Sequence, residues 1–189
     1  MPSRDPNDLH PQLRERWEWM RDEWARRHPE APQPFLTTTY RPASEQQALY
    51  DKGLSHAKPM QSLHNLMPAW AFDVAFDPNA ANGIGNDLTW AFRWYELWGR
   101  LAKEIGLWWG GDFEGLVDGP HVQAPVPWRA AQAGVLPPLP PLPTPQNPLL
   151  PVLTLHLVRR DGSEQVFALD ADAPARVVGT KLYANEAAK

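Results

Sequence analysis

The chain has 189 residues, 43% of them hydrophobic and 21% charged, with a net charge of −4 and a pI near 5.8. That leaves room for a core of ordinary size and offers no basic stripe for nucleic acid. There are no cysteines, so disulfides and thiolate metal sites are excluded, and any metal must be held by histidines and carboxylates.

The N-terminus has no apolar run of signal-peptide length, and no later segment is long enough to span a membrane. A product made in the cytoplasm and not inserted in a membrane is expected. If it works beyond the membrane, something else must release it. Ten tryptophans and 22 prolines are both high for this length, and the prolines cluster.

From Asp8 to Arg27, apolar residues at Leu9, Leu13, Trp17, Met20 and Trp24 have helical spacing, with Asn7 or Asp8 as cap. Phe35 to Tyr40 reads as a strand. Ser44 caps a short helix, Glu45 to Asp51, which Gly53 stops. After a polar loop, Ala69 to Phe76 reads as a buried strand interrupted by Asp73, and a carboxylate there is costly unless paired.

A glycine- and asparagine-rich loop precedes the longest helix, Asp87 to Ile105, capped by Asn86 or Asp87. Its Trp90, Trp94 and Trp98 stripe reads as core. Leu107 to Phe113 is a strand entering a turn, Asp118 to Gln123 holds a short strand, and Val126 to Ala133 makes a helical turn or two. His10, His28, His56 and His156 read as solvent-facing.

Residues 136–151 form a proline-rich polyproline II spacer, which could span on the order of 45 Å. Beyond it, Val152 to Val158 and Gln165 to Leu169 read as a hairpin through Asp161-Gly162, and Val177 to Tyr183 as a candidate third strand. The domain plan is thus 1–135, a linker of 136–151, and a small β module of 152–189. A tethered module of this kind raises effective concentration at a surface such as a cell wall. A packing appendage is the plainer reading.

His64, Asp73, Asp118 and His121 are the residues with chemistry to offer. Catalytic zinc takes three ligands from histidines and carboxylates and keeps one position open. If the strands bearing Asp73 and His121 pair, those two side chains and His64 could meet at one point. Asp118, three residues before His121, could then take a proton from a water activated there. Periodicity alone does not join the two segments.

Four blocks together resemble a known family. They are Tyr40-Arg41-Pro42 with Glu45-Gln46-Gln47 and Leu49-Tyr50; Ser62-Leu63-His64 with Ala71-Phe72-Asp73-Val74; Trp109-Gly110-Gly111-Asp112-Phe113; and Asp118-Gly119-Pro120-His121. In this order they are similar to zinc peptidases that include D-alanyl-D-alanine carboxypeptidases and L-alanyl-D-glutamate endopeptidases of phages and sporulating bacteria. The likeness spans about residues 10 to 125.

The resemblance implies an α+β fold, a small antiparallel sheet flanked by helices of the LAS/hedgehog-like metallopeptidase type. It implies Zn2+ held by His64, Asp73 and His121, with Asp118 as general base and later proton donor. Arg41 would hold a substrate carboxylate or polarise the scissile carbonyl, and Ser62 would support the site. It implies bacterial peptidoglycan as substrate, cleaved in its stem peptide by an endolysin-type L-Ala-D-Glu endopeptidase. A D-Ala-D-Ala carboxypeptidase and a non-catalytic wall-binding member are the alternatives.

Two departures stand out. His64 and Asp73 are nine positions apart where many members have seven, the extra residues coming with Met67-Pro68, as in phage-type members. Val122-Gln123 follows the last histidine where many members have an acidic residue. Trp108 and Trp109 line a glycan groove or pack inside, and Asp112 shapes the Gly110-Gly111 turn.

Overall fold

The computed structural model describes residues 1–79, 87–134, 138–144, 153–158 and 164–169. The chain divides into two compact units, Met1–Pro143 and Thr144–Lys189.

The first unit is α+β. Its four-stranded antiparallel sheet has the order β1 (Gln33–Thr38), β2 (Ala71–Asp77), β4 (His121–Gln123), β3 (Trp108–Trp109). Strand alternation sorts the two faces. Phe72, Val74 and Phe76 of β2, with Val122 of β4, meet helices α1 (Pro11–Arg27) and α3 (Phe92–Glu104). Asp73 and His121 fall on the opposite face, directly across from each other in the β2–β4 register.

Helix α1 buries Leu13, Trp17, Met20 and Trp24, the stripe expected from the spacing. The helix starts at Pro11 rather than Asp8. Proline lacks an N–H and disfavours helical geometry in the residue before it, so His10 is extended (φ −53°, ψ 137°) and Asp5 caps a separate 3-10 turn over Pro6–Asp8. Trp17, Trp24, Trp98, Phe72 and Phe76 interlock edge to face or tilted, with ring centroids 4.9–6.1 Å apart. Such pairs each add about 0.5–1.5 kcal/mol beyond burial.

Strand β1 begins and ends two residues earlier than expected. It is an edge strand, so Pro34 fits within it, and beyond it Thr39 and Tyr40 pair with Ser3 through backbone hydrogen bonds of 2.8 and 2.7 Å. Helix α2 (Ala43–Asp51) starts at Ala43 after Pro42, so Ser44 lies inside it rather than capping it. Helix α3 starts at Phe92, five residues later than expected. Before it, Thr89 exchanges backbone hydrogen bonds with Phe76 (2.7 and 3.3 Å), which holds that stretch extended beside β2.

Trp98 is buried and Trp94 packs at the edge of the core, but Trp90 lies outside the helix and is 56% exposed, contrary to a core role. A short helix α4 (Trp128–Gln132) places Ala131 over a second cluster with Leu63, Trp70, Ala71 and Val126. His56 is exposed as expected. His10 and His28 are instead half-buried, stacked against Trp70 and Trp24.

The start of the proline run does not stand off as a spacer. Leu139 and Leu142 pack on the main core, Arg16 donates to the Pro140 carbonyl (2.7 Å), and Trp19 Nε1 donates to that of Pro143 (3.0 Å). A Cβ at Gly106, which also needs φ +77° after α3, would stand 2.6 Å from the Pro140 ring.

In the second unit, β5 (Leu153–Val158) and β6 (Glu164–Leu169) pair antiparallel as a hairpin. The Asp161-Gly162 turn, the third strand expected over 177–183 and the side chain of His156 lie outside the described residues. Among the described residues, no helix is long and apolar enough to cross a membrane.

Candidate metal centre

Each site residue is placed by a local feature of the chain. Ser62 caps a 3-10 turn, accepting from the His64 N–H (3.3 Å), while the Asn65 side chain accepts from the Ser62 N–H (3.3 Å). The turn is tied to Arg41, whose N–H donates to the His64 carbonyl (2.8 Å) and whose own carbonyl accepts from the Asn65 amide (2.7 Å). His64 is thereby held against the sheet face that bears Asp73 and His121.

The three side chains converge. Asp73 Oδ1 is 3.0 Å from His64 Nε2 and 2.9 Å from His121 Nδ1, and these two nitrogens are 3.2 Å apart. For a tetrahedral zinc with bonds of about 2.0–2.1 Å, ligand atoms stand about 3.3–3.4 Å from one another. All three residues are within or at the edge of the buried interior, and they form a group that could bind a metal.

The outward nitrogens fit that reading. His64 Nδ1 lies 2.7 Å from the Thr39 carbonyl, an acceptor only, so this nitrogen carries the proton and Nε2 is left with its lone pair. His121 Nε2 lies 3.0 Å from Gln123 Oε1, which leaves Nδ1 facing inward in the neutral ring. With both rings neutral, three electron-rich atoms crowd one point. Partners of this kind, fixing tautomer and ring orientation, accompany histidines that ligate metals.

Electrostatics follow from the crowding. Burial works against the charge on Asp73, yet the neighbouring histidines hold its carboxyl well below the usual carboxylate range. Burial pushes His64 down. Burial also opposes charge on His121, but its hydrogen bond to Asp73 and the negative charges of Asp73 and Asp118 outweigh it and raise the imidazole above its ordinary value.

Arg41 spends two donors inside the protein, on Asp73 Oδ2 (2.8 Å) and Gln46 Oε1 (3.1 Å). It therefore neutralises the carboxylate oxygen turned away from the histidines, while still lining the cleft over the site. That cleft, of about 960 Å³, is also lined by Ser62, Trp108 and Asp118. Asp118 is not one of the converging group. Its carboxyl is pushed up, first by burial and then by the charge of Asp73, against the pull of His121. Asp112 is turned to solvent and pairs with Lys103 Nζ (2.9 Å) in the Gly110–Asp112 turn.

Three contributors escaped the sequence reading. Gln123 orients His121, and a period of two along β4 places both on one face, which is the signal that could have found it. Gln46 is fully buried and links Arg41 to Ser55 and the Ala57 carbonyl. Thr39 acts through its carbonyl, which no residue type announces.

Fold and site together define an α+β domain whose central antiparallel sheet presents a His-Asp-His group suited to a metal ion. Among solved structures, the chain is similar to the crystal structure of the Serratia marcescens L-Ala D-Glu endopeptidase ChiX, at 22% identity and a TM-score of 0.48, over 65% of this chain and 87% of that one. No protein-family profile and no curated protein matches it.

Proposed function

We propose that the chain is a zinc-dependent peptidoglycan peptidase of the LAS type, cleaving the stem peptide as an L-Ala-D-Glu endopeptidase. The convergence of His64 Nε2, Asp73 Oδ1 and His121 Nδ1 within 3.2 Å, with both outward nitrogens bound to acceptors, carries the proposal. The four sequence blocks that resemble the zinc peptidases supply these residues and Asp118 in the family's order.

Bound zinc would act as a Lewis acid on the scissile carbonyl and lower the pKa of water. Asp118, with its carboxyl raised by burial, is suited to take a proton from the attacking water and return it to the leaving amine. Arg41 holds Asp73 in place through its Oδ2, and from the cleft wall it is our candidate for a substrate carboxylate. Ser62 holds the turn that carries His64. The stated role fits an endolysin made in the cytoplasm and released through a holin-type lesion.

Purified peptidoglycan digested with and without a chelator, and analysed by mass spectrometry, tests this. Chelator-sensitive release of stem peptides cut between L-Ala and D-Glu is expected, and loss of terminal D-Ala alone would identify a carboxypeptidase instead. Asp118→Asn is expected to keep its metal and lose about 10²–10⁴-fold in rate. No cleavage with any divalent metal would overturn the enzyme reading in favour of a binding module.

A further inference from the structure

Trp108 and Trp109 are adjacent on β3 but part company. Both line the cleft, but Trp108 is 46% exposed, whereas Trp109 is 7% exposed. Two glycines make room for its indole. A Cβ on Gly99 of α3 would stand 2.2 Å from the ring, and one on Gly111 would stand 2.1 Å from it. Neither position has space for even an alanine while the ring stays where it is.

The indole so placed has one polar atom, and it is used. Trp109 Nε1–H donates to the Gly119 carbonyl at 2.8 Å. Gly119 lies between Asp118 and Pro120-His121, in the loop that carries both the proposed base and a metal ligand. The residue that follows β3 grips the same loop. The Gly110 carbonyl accepts from the Asp118 N–H (2.9 Å), and a Cβ on Gly110 would meet the Asp118 carbonyl at 2.4 Å. Gly119 is closed in on another side by Phe92 and Tyr95, each 3.2 Å from where its Cβ would be.

We propose that Trp109 is a positioning residue: through its N–H bond to Gly119 it sets the Asp118 carboxylate relative to the His64–Asp73–His121 group. This rests on the peptidase function proposed above. A buried carbonyl left without its donor loses more than the bond itself, so the loop relaxes to find another partner. The glycines of Trp109-Gly110-Gly111 then have one purpose, to let an indole and a loop approach closely enough to bond.

The test uses two full-length variants. Trp109→Phe removes the donor and keeps a ring. Replacing the indole at position 109 by benzothiophene keeps the shape and removes only the N–H, which guards against a variant that fails to fold. Each is measured for hydrogen exchange of the Asp118 amide, for zinc affinity by chelator competition, and for stem-peptide cleavage, the last also in an Asp118→Asn background.

Faster exchange at Asp118 is expected, with kcat lower by about 10- to 100-fold, the usual range for supporting hydrogen bonds around a metal site. KM and zinc affinity should hold, and in the Asp118→Asn background the variants should cause no further loss. Equal losses in both backgrounds would show a merely structural role. Unchanged exchange and kcat in the benzothiophene protein would overturn the proposal outright. A wild-type protein that cleaves nothing would sink the peptidase reading, and amide exchange would still decide whether Trp109 holds the loop.

Discussion

Metal binding at His64, Asp73 and His121 is expected to release close to one proton per ion in mildly acidic solution. The count comes from the hydrogen bonds. His64 Nδ1 and His121 Nε2 both face acceptors, so each ring already carries its outward proton. An inward proton makes that ring an imidazolium. Burial lowers the tendency of His64 to charge, while Asp73 and Asp118 raise that of His121. Without metal, the one inward proton therefore sits on His121 Nδ1, shared toward Asp73 Oδ1 at 2.9 Å. Ligation requires that proton to leave.

The sign follows. Below the raised pKa of His121, apparent affinity should climb about tenfold per pH unit, or about 1.4 kcal/mol. Above it, the His121 contribution to the pH dependence should vanish, and any proton still released comes from water on the metal. Near pH 6.5, the ordinary histidine value, the raised His121 is more than half protonated, so more than half a proton is released per ion. Isothermal titration of zinc in two buffers of different ionisation enthalpy, with chelator competition for affinity, measures both quantities. No proton release near that pH together with a flat affinity would refute the proton count. Two protons per ion would show that His64 is charged as well.

Two further outcomes concern stability. Glu23 is buried and held by hydrogen bonds from Arg26 and then Arg27, against the cost of burial, and its carboxyl falls from 4.5 to about 2. At about 1.4 kcal/mol per pH unit this is worth at most about 3–4 kcal/mol, in full above about pH 4.5 and lost as pH falls toward 2. Glu23→Gln should be less stable at neutral pH and show a flatter acid dependence in urea unfolding over that window; a parallel dependence would reject the assignment. Ending the chain after residue 134 rather than 144 removes Leu139 and Leu142 from the core edge and the carbonyl partners of Arg16 and Trp19. Lost burial of the two leucines and two lost hydrogen bonds, one of them from a guanidinium, should together cost about 3–5 kcal/mol, a fall of roughly 10 °C or more in Tm, and equal Tm values would show the strap to be superficial.

The order of elements in the first unit was legible because each has a clear period. The apolar residues of α1 recur at helical spacing, and Ala69 to Phe76 is an apolar run with a single carboxylate, Asp73. Element ends were less so. The start of α3 is set by Thr89 pairing with Phe76, and the course of β1 beyond Thr38 by Ser3, both contacts between segments distant in sequence. The proline run has the composition of a free spacer, but the placement of residues 138–143 depends on the Arg16 and Trp19 side chains and on bare Gly106 beneath Pro140. Gln123 and Thr39 were missed for a related reason: they act on the two histidines through a neutral amide and a backbone carbonyl, and neither is a signal until the histidines are known to face one point.

Asp73 was the most informative residue at the outset, and the structure explains why. A carboxylate in the central strand, flanked by Phe72 and Val74, is expensive unless its oxygens are answered. Arg41 answers one of them. The other faces two imidazoles whose outward nitrogens are already donors. A structural carboxylate–histidine pair needs one N–H aimed at the oxygen and leaves the far nitrogen free to accept. Here two rings are aimed at one oxygen with their lone pairs inward, and each would have to charge to donate. Burial opposes that for His64, so at least one close contact lacks a proton. Replacing the group by apolar residues of similar volume would remove that conflict. The arrangement makes physical sense where a divalent cation supplies the positive charge that the protons do not.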